Sequence, residues 1–196
     1  MGNKRNWGFL IIAPLIFSLF ACNSNKPIES SSPIKDLTTN KDAFPQDSFA
    51  YYEKALSEDS LNIDLRIAIA TNYYSKKQFE KAIDHLLIVY RIDSKNVDAI
   101  ITLGNIYYDS EQNEKAIEYY EKALLIDNKN VNVRCDLATC YLNIKNPEKA
   151  RILLKKNIEI DFNHAQSHHN LSVVYSQLGK TKEAEDEMKI FNSLNK

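Results

Sequence analysis

The chain has 196 residues, 44% hydrophobic and 26% charged, with 25 Lys and Arg against 26 Asp and Glu. So even a balance gives no electrostatic footprint for a phosphate backbone and argues against a nucleic-acid partner. Four Gly and five Pro are too few for the turns of a sandwich or barrel, which leaves helices.

The chain opens with a short basic head, Lys4 and Arg5, followed by an apolar-dominated run from Phe9 to Ala21 that ends at Cys22. At about 1.5 Å per residue this run falls short of a bilayer core of about 30 Å, so it reads as a secretory signal and not as a spanning helix. Its last four residues, Leu19-Phe20-Ala21-Cys22, resemble the bacterial lipobox; Leu19, Ala21 and Cys22 match it, while Phe20 is bulkier than usual there. That resemblance implies cleavage of a signal peptide, residues 1–21, and acylation of Cys22. It further implies a lipid-anchored protein of the bacterial cell envelope, facing the periplasm or the exterior. Asn23 stands where some lipoproteins kept at the inner membrane have Asp, a pointer to the outer membrane. Residues 22–45, rich in Ser, Asn, Lys and Pro without helical period, form a flexible tether with a span of about 26 Å.

From Ile63 onward the sequence repeats every 34 residues, in blocks 63–96, 97–130, 131–164 and a shortened 165–196. Tyrosine recurs at Tyr73, Tyr107, Tyr141 and Tyr175, and alanine at Ala82, Ala116, Ala150 and Ala184. A large apolar residue precedes a small one at Ile69-Ala70, Leu103-Gly104, Leu137-Ala138 and Leu171-Ser172. Aspartate closes three blocks, at Asp93, Asp127 and Asp161. Within a block the apolar positions follow a helical period twice, as at Ile100, Leu103, Gly104, Tyr107 and then Ala116, Ile117, Tyr120, Ala123, Leu124. A polar turn lies between the two stripes, Gly179 serves that turn in the last block, and Pro147 suits a first helical position. Each block is therefore read as two antiparallel helices that bury their faces only by stacking on neighbours.

These features resemble the tetratricopeptide repeat, with 97–130 very near its consensus. The resemblance implies an all-α solenoid of antiparallel helix pairs wound into a right-handed superhelix, spanning 46–196 with residues 46–62 as a capping helix. Asn157 replaces a usual small Ala and is expected to loosen the third block. Arg66, Arg134 and His168 stand at a bulky apolar position, with their polar heads expected to stay wet. Gly104 marks the closest helix approach, where Leu is expected to overpack and Ala to be tolerated. Cys135 and Cys140, five residues apart on one helix, point in opposed directions and read as two small, mostly buried thiols.

No phosphate loop, nucleophile elbow or zinc-protease motif occurs, and the acidic residues read as solvated faces. His164, His168 and His169 form a weak cluster, with His164 in a turn, and no metal site is expected. The chain is therefore expected to be non-catalytic, without cofactor or small-molecule substrate. By resemblance, the first helix of each repeat lines a concave groove that binds a protein segment. Offsets place Ile67, Thr71 and Tyr74 there from the first repeat, and Asp98, Ile101, Thr102, Asn105 and Tyr108 from the second. The third supplies Cys135, Asp136, Thr139 and Leu142, and the fourth His169, Asn170 and Val173. Including Asp64 and Asp109, this face holds four aspartates and no Lys or Arg. A carboxylate clamp is disfavoured, and a basic or apolar partner segment is the better complement. The expected function is a membrane-tethered interaction scaffold, within an envelope assembly or secretion complex. The alternative is a self-associating structural lipoprotein with no dedicated ligand.

Overall fold

The computed structural model describes residues 48–196; the signal segment 1–21, Cys22 and the tether 22–45 lie outside the described residues. Among the described residues nine helices occur and no strand: α1 (Ser48–Glu58), α2 (Ile63–Ser75), α3 (Phe79–Ile92), α4 (Val97–Asp109), α5 (Asn113–Ile126), α6 (Val131–Asn143), α7 (Pro147–Ile160), α8 (Ala165–Gln177) and α9 (Thr181–Leu194). The first helices of the four repeats start at residues 63, 97, 131 and 165, and the second helices at 79, 113, 147 and 181. Both series step by 34, so the sequence repeat is the structural repeat. Helices pair within each repeat and then with the next repeat, building the all-α superhelix expected from the sequence. The helix α1 lies upstream of the first pair and packs on its core through Tyr52 and Leu56.

Local chemistry explains where each helix begins and ends. Between repeats, Asp93, Asp127 and Asp161 accept the backbone N–H two residues on, at 3.0, 3.0 and 2.9 Å, closing a tight turn. Three residues after the turn aspartate, Asn62, Asn96 and Asn130 act as N-caps, each Oδ1 accepting a first-turn N–H at 2.9 to 3.0 Å. Within each repeat the first helix ends in a Schellman turn. The N–H groups of Gln78, Gln112, Asn146 and Lys180 reach back to the carbonyls of the repeated tyrosines, at 2.8 to 2.9 Å. That turn needs one left-handed residue, and it falls on Lys77, Glu111, Lys145 and Gly179 at φ 57, 61, 58 and 71°. Only the last is glycine; the other three bear the strain of a Cβ at positive φ.

The core runs along the solenoid as Ile69, Leu86, Ile100, Leu103, Ile106, Leu154 and Leu171, with the repeated alanines where helices come closest. A Lys of the second helix lies over each of the first three column tyrosines, Lys81 on Tyr73, Lys115 on Tyr107 and Lys149 on Tyr141, at 4.8 to 5.1 Å from the ring centre.

Three expectations need correction. Asn157 does not loosen the third repeat: it is fully buried, accepts from Arg134 Nη1 at 3.0 Å, and donates to the Val131 carbonyl at 2.6 Å and to Ser167 Oγ at 3.0 Å. The heads of Arg66, Arg134 and His168 are not wet either. Each reaches back six residues to a turn carbonyl, that of Ser60, Asn128 and Phe162 respectively, and all three residues are buried. At Gly104, an added Cβ would stand 2.6 and 2.7 Å from two ring carbons of Tyr120. Tyr120 is itself buried, with its hydroxyl donating to Asn105 Oδ1 at 2.8 Å, so even alanine overpacks this site.

Candidate functional site

The first helices of the repeats, α2, α4, α6 and α8, carry the residues expected to line the groove, and the two halves of that row differ. In the first two repeats Ile67, Tyr74, Ile101, Thr102, Asn105 and Tyr108 are half-buried, while Thr71 and Asp98 are exposed. Tyr74 donates its hydroxyl to Asp109 Oδ2 at 2.6 Å, tying the end of α2 to the end of α4. Thr71 and Thr102 spend their hydroxyls on the carbonyls of Ile67 and Asp98, one turn back in their own helices. Asn105 is partly committed to packing, because its Oδ1 accepts from Tyr120.

In the third and fourth repeats the face is closed. Helix α6 is buried on every side from Val133 to Leu142, which includes Cys135, Asp136, Thr139 and Leu142. Asn170 of α8 is also buried; it donates to Thr139 Oγ1 at 3.1 Å and to Cys135 Sγ at 3.3 Å, and accepts from Gln166 at 2.8 Å. His169 is half-buried against Phe191, with ring centres 5.0 Å apart, and Val173 packs on the core. The structure thus brings the first- and second-repeat candidates together on an accessible surface, while Asp136, Thr139, Leu142 and Asn170 belong to the interior. Cys140 is buried as a free thiol, whereas Cys135, expected to be a second thiol, is disulfide-bonded. Burial pushes the pKa of Cys140 up, and Asp136 pushes in the same direction.

Exposed carboxylates, Asp98 and Asp109, border the accessible half, with no Lys or Arg among the groove candidates. Burial raises the pKa of Tyr74, first of all, and its bond to Asp109 adds to this; Asp136 acts in the same sense. Burial also raises Tyr108, opposed by a hydrogen bond from Asn143 and supported by Asp136 and Asp109. Such a surface resists further negative charge and suits a cationic or apolar segment.

The histidine cluster is engaged in structure. His164 bonds Ser167 Oγ at 2.7 Å and Asn132 Oδ1 at 2.9 Å, and His168 lies between Glu187 at 2.6 Å and the Phe162 carbonyl at 2.8 Å. Among the described residues no three His, Cys, Asp or Glu side chains stand together as metal ligands would, and no helix is long and apolar enough to cross a membrane. The polar hooks and the Asn157 network were the features missed in sequence. A signal existed: positions 66, 134 and 168 share one repeat offset, and three polar residues in one column of an otherwise apolar position are unlike random drift.

Tetratricopeptide-repeat family profiles match residues 107–172 and 165–189. No curated protein sequence matches the chain. Among solved structures, MamA superposes with a TM-score of 0.71 at 19% identity, over 76% of this chain and 86% of that one. A second MamA structure gives 0.70 at 19% identity, over 75% and 80%. YrrB, described as a TPR protein with an unusual peptide-binding site, gives 0.67 at 22% identity, over 76% of each chain. At these identities the likeness carries the fold. Together with the 34-residue helix spacing, these matches show that the chain carries tetratricopeptide repeats arranged as a tetratricopeptide solenoid.

Proposed function

We propose that the protein is a non-catalytic scaffold that binds a basic or apolar segment of a partner protein on the concave face of its first two repeats. The observation that carries this reading is the row of half-exposed apolar and aromatic side chains, Ile67, Tyr74, Ile101 and Tyr108, bordered by Asp98 and Asp109 with no Lys or Arg among them. Exposed aromatics beside unpaired-sign charge suit an extended segment whose own cations answer the carboxylates. The peptide-binding site in YrrB's description lends the general role support. In the same reading Cys22 is acylated and the tether 22–45 carries the solenoid at a membrane of the bacterial envelope, within an assembly or secretion complex. Two acyl chains give firm attachment where one gives only marginal binding.

The test is affinity capture of the native partner from membranes by the intact protein, repeated with Tyr108→Ala and Asp98→Lys. Tyr108→Ala should speed dissociation and Asp98→Lys should slow association, and rising salt should weaken capture through screening. Full retention of the partner by both variants would remove the groove from consideration. For the anchor, Cys22→Ser should release the protein from membranes, and a variant that fractionates like the parent would refute acylation.

A further inference from the structure

Seven large apolar side chains are exposed among the described residues. Six of them, Leu61, Ile92, Leu125, Ile126, Ile160 and Phe162, stand in or beside the turns that join one repeat to the next. Because the helices alternate in direction, all these turns share one edge of the solenoid. The opposite edge, formed by the turns within repeats at 76–78, 110–112, 144–146 and 178–180, exposes none of the six. Ile92, Ile126 and Ile160 occupy one repeat position, each the last residue of its helix, and are 41, 44 and 40% exposed. They therefore recur at a regular interval as a stripe, widened by Leu125 at 86% and Phe162 at 56%. Single exposed apolar residues are ordinary, whereas an ordered row on one edge is the pattern of a contact surface.

We propose that this edge pairs with the same edge of a second copy of the chain, antiparallel, about a two-fold axis through the middle turn. The charges choose this occupant. The turn that holds Leu61 lies beyond the isoleucine stripe and outside this pairing; along the three turns of the stripe, 91–98, 125–132 and 159–166, Arg91, Lys95 and Lys129 are set against Asp93, Asp98, Asp127, Glu159 and Asp161. An excess of carboxylates repels an anionic lipid surface and a nucleic acid, so neither is the natural cover. The distribution is also graded. Both cations of the first turn, Arg91 and Lys95, lie at one end of the stripe, and Glu159 and Asp161, with no cation, lie at the other. A two-fold axis at the middle turn lays the first turn of one copy on the third turn of its partner. Arg91 and Lys95 then face carboxylates, and Ile92 faces the partner's Ile160 and Phe162. Leu125 and Ile126 meet their own counterparts on the axis. This is the self-complementarity that an isologous interface requires. The surface is a narrow edge and not a broad face, so the pairing is weak in dilute solution and is favoured wherever two copies are tethered close together. It is independent of the groove, which opens on the concave face.

The test uses the full-length chain in detergent. A photo-reactive phenylalanine analogue is installed at Leu125 or, as an off-edge control of equal character, at Ile152, which is 61% exposed. Irradiation should yield covalent homodimers from position 125 and not from 152. Sedimentation across a wide concentration range should show a monomer–dimer equilibrium, weakened about tenfold or more by Ile126→Glu. Lys95→Glu should weaken it as well, and adding Glu159→Lys to Lys95→Glu should restore it. All three sites are exposed, so the variants should melt like the parent. A monomer at every concentration, homodimers from 152 as readily as from 125, or no rescue by the paired charge reversal would each overturn the proposal.

Discussion

The joint between the second and third repeats and the joint between the third and fourth are built from the same three positions with opposite chemistry. In the earlier joint they are Ile100, Ala123 and Val133, all buried and apolar. One repeat later the same positions hold Arg134, Asn157 and Ser167, equally buried, and linked by hydrogen bonds of 3.0 Å from Arg134 to Asn157 and from Asn157 to Ser167. The backbone is indifferent to the exchange: both joints keep the 34-residue step. What differs is the response to damage. An apolar joint loses contact energy in proportion to what is removed, whereas a buried polar joint fails when any member is lost, because the remaining donors and acceptors stay desolvated.

The largest expected effect follows. Asn157→Ala installs the residue of the second repeat, Ala123, in the third. It removes one hydrogen-bond partner each from the Arg134 head, the Val131 carbonyl and the Ser167 hydroxyl in a buried place, at a cost of about 3 kcal/mol. Transplanting the whole apolar joint, Arg134→Ile with Asn157→Ala and Ser167→Val, should recover part of that loss, because the joint's own donors and acceptors leave together, while the Asn128 and Val131 carbonyls and His164 Nδ1 each lose a partner. Urea denaturation of the single and triple variants measures both. Costs that simply add would mean that the three side chains act independently and that the joint is not a unit.

Second in size is the contact that makes the apolar region tight. Gly104→Ala should cost about 1–3 kcal/mol, since the new methyl meets the face of a buried Tyr120 ring. Tyr120→Leu should cost stability by itself yet reduce the penalty of Gly104→Ala in the double variant. An alanine variant that melts at the parent's temperature would show that the ring can move aside.

Much of this was legible in the sequence, for a physical reason. The period, the helix starts and the turn aspartates are local features repeated four times, and each repetition reinforces the others. Helices α2, α4, α6 and α8 begin at the block starts, and α7 begins at Pro147. The buried network was not legible, because Asn157 and Arg134 are 23 residues apart and each, taken alone, looks like a flaw. Consensus reasoning treats departures one at a time; compensation between departures appears only once the helices are stacked. The groove was half legible for a similar reason. Offsets mark which residues face inward on any repeat, but whether a given one stays accessible depends on its neighbours. Asn170 closing over Thr139 and Cys135 is a contact of two repeats. Helix propensity favours alanine at Gly104, but the Tyr120 ring lying against that site, a contact between two helices, outweighs it.

Smaller, and favourable, is the effect of relieving the left-handed turns. Lys77, Glu111 and Lys145 hold a conformation that glycine adopts freely, and Gly179 already does so in the last repeat. Lys145→Gly and Glu111→Gly should each stabilise by about 0.5–1 kcal/mol, and Gly179→Ala should destabilise by a similar amount. Thermal melts of the three variants decide this, and glycine substitutions that lower stability would show that side-chain contacts outweigh the backbone strain.

The finest probe of the polar joint is pH. His164 takes the N-cap position that Asn holds in the other repeats, and its ring sits between Ser167 Oγ and Asn132 Oδ1. The amide oxygen of Asn132 only accepts, so Nε2 carries the proton and Nδ1 accepts from the Ser167 hydroxyl, which in turn accepts from Asn157. Protonating Nδ1 would turn that hydroxyl away and leave its hydrogen without this acceptor in a fully buried place. Burial, aided by the neighbouring His168 and opposed by Asp161, accordingly lowers the pKa of His164 below the ordinary histidine value of 6.5. The unfolded chain then takes up the proton first as pH falls. Stability is complete above about 6.5 and declines as pH drops through the lower folded value. His85, lowered chiefly by burial in the first repeat, contributes a slope of the same sign. His164→Asn restores the cap of the other repeats and removes one titrating group. Urea midpoints taken between neutral and mildly acidic pH should therefore fall less steeply in His164→Asn than in the parent, with His85 supplying what remains. An unchanged slope would place the proton uptake elsewhere and detach His164 from the joint.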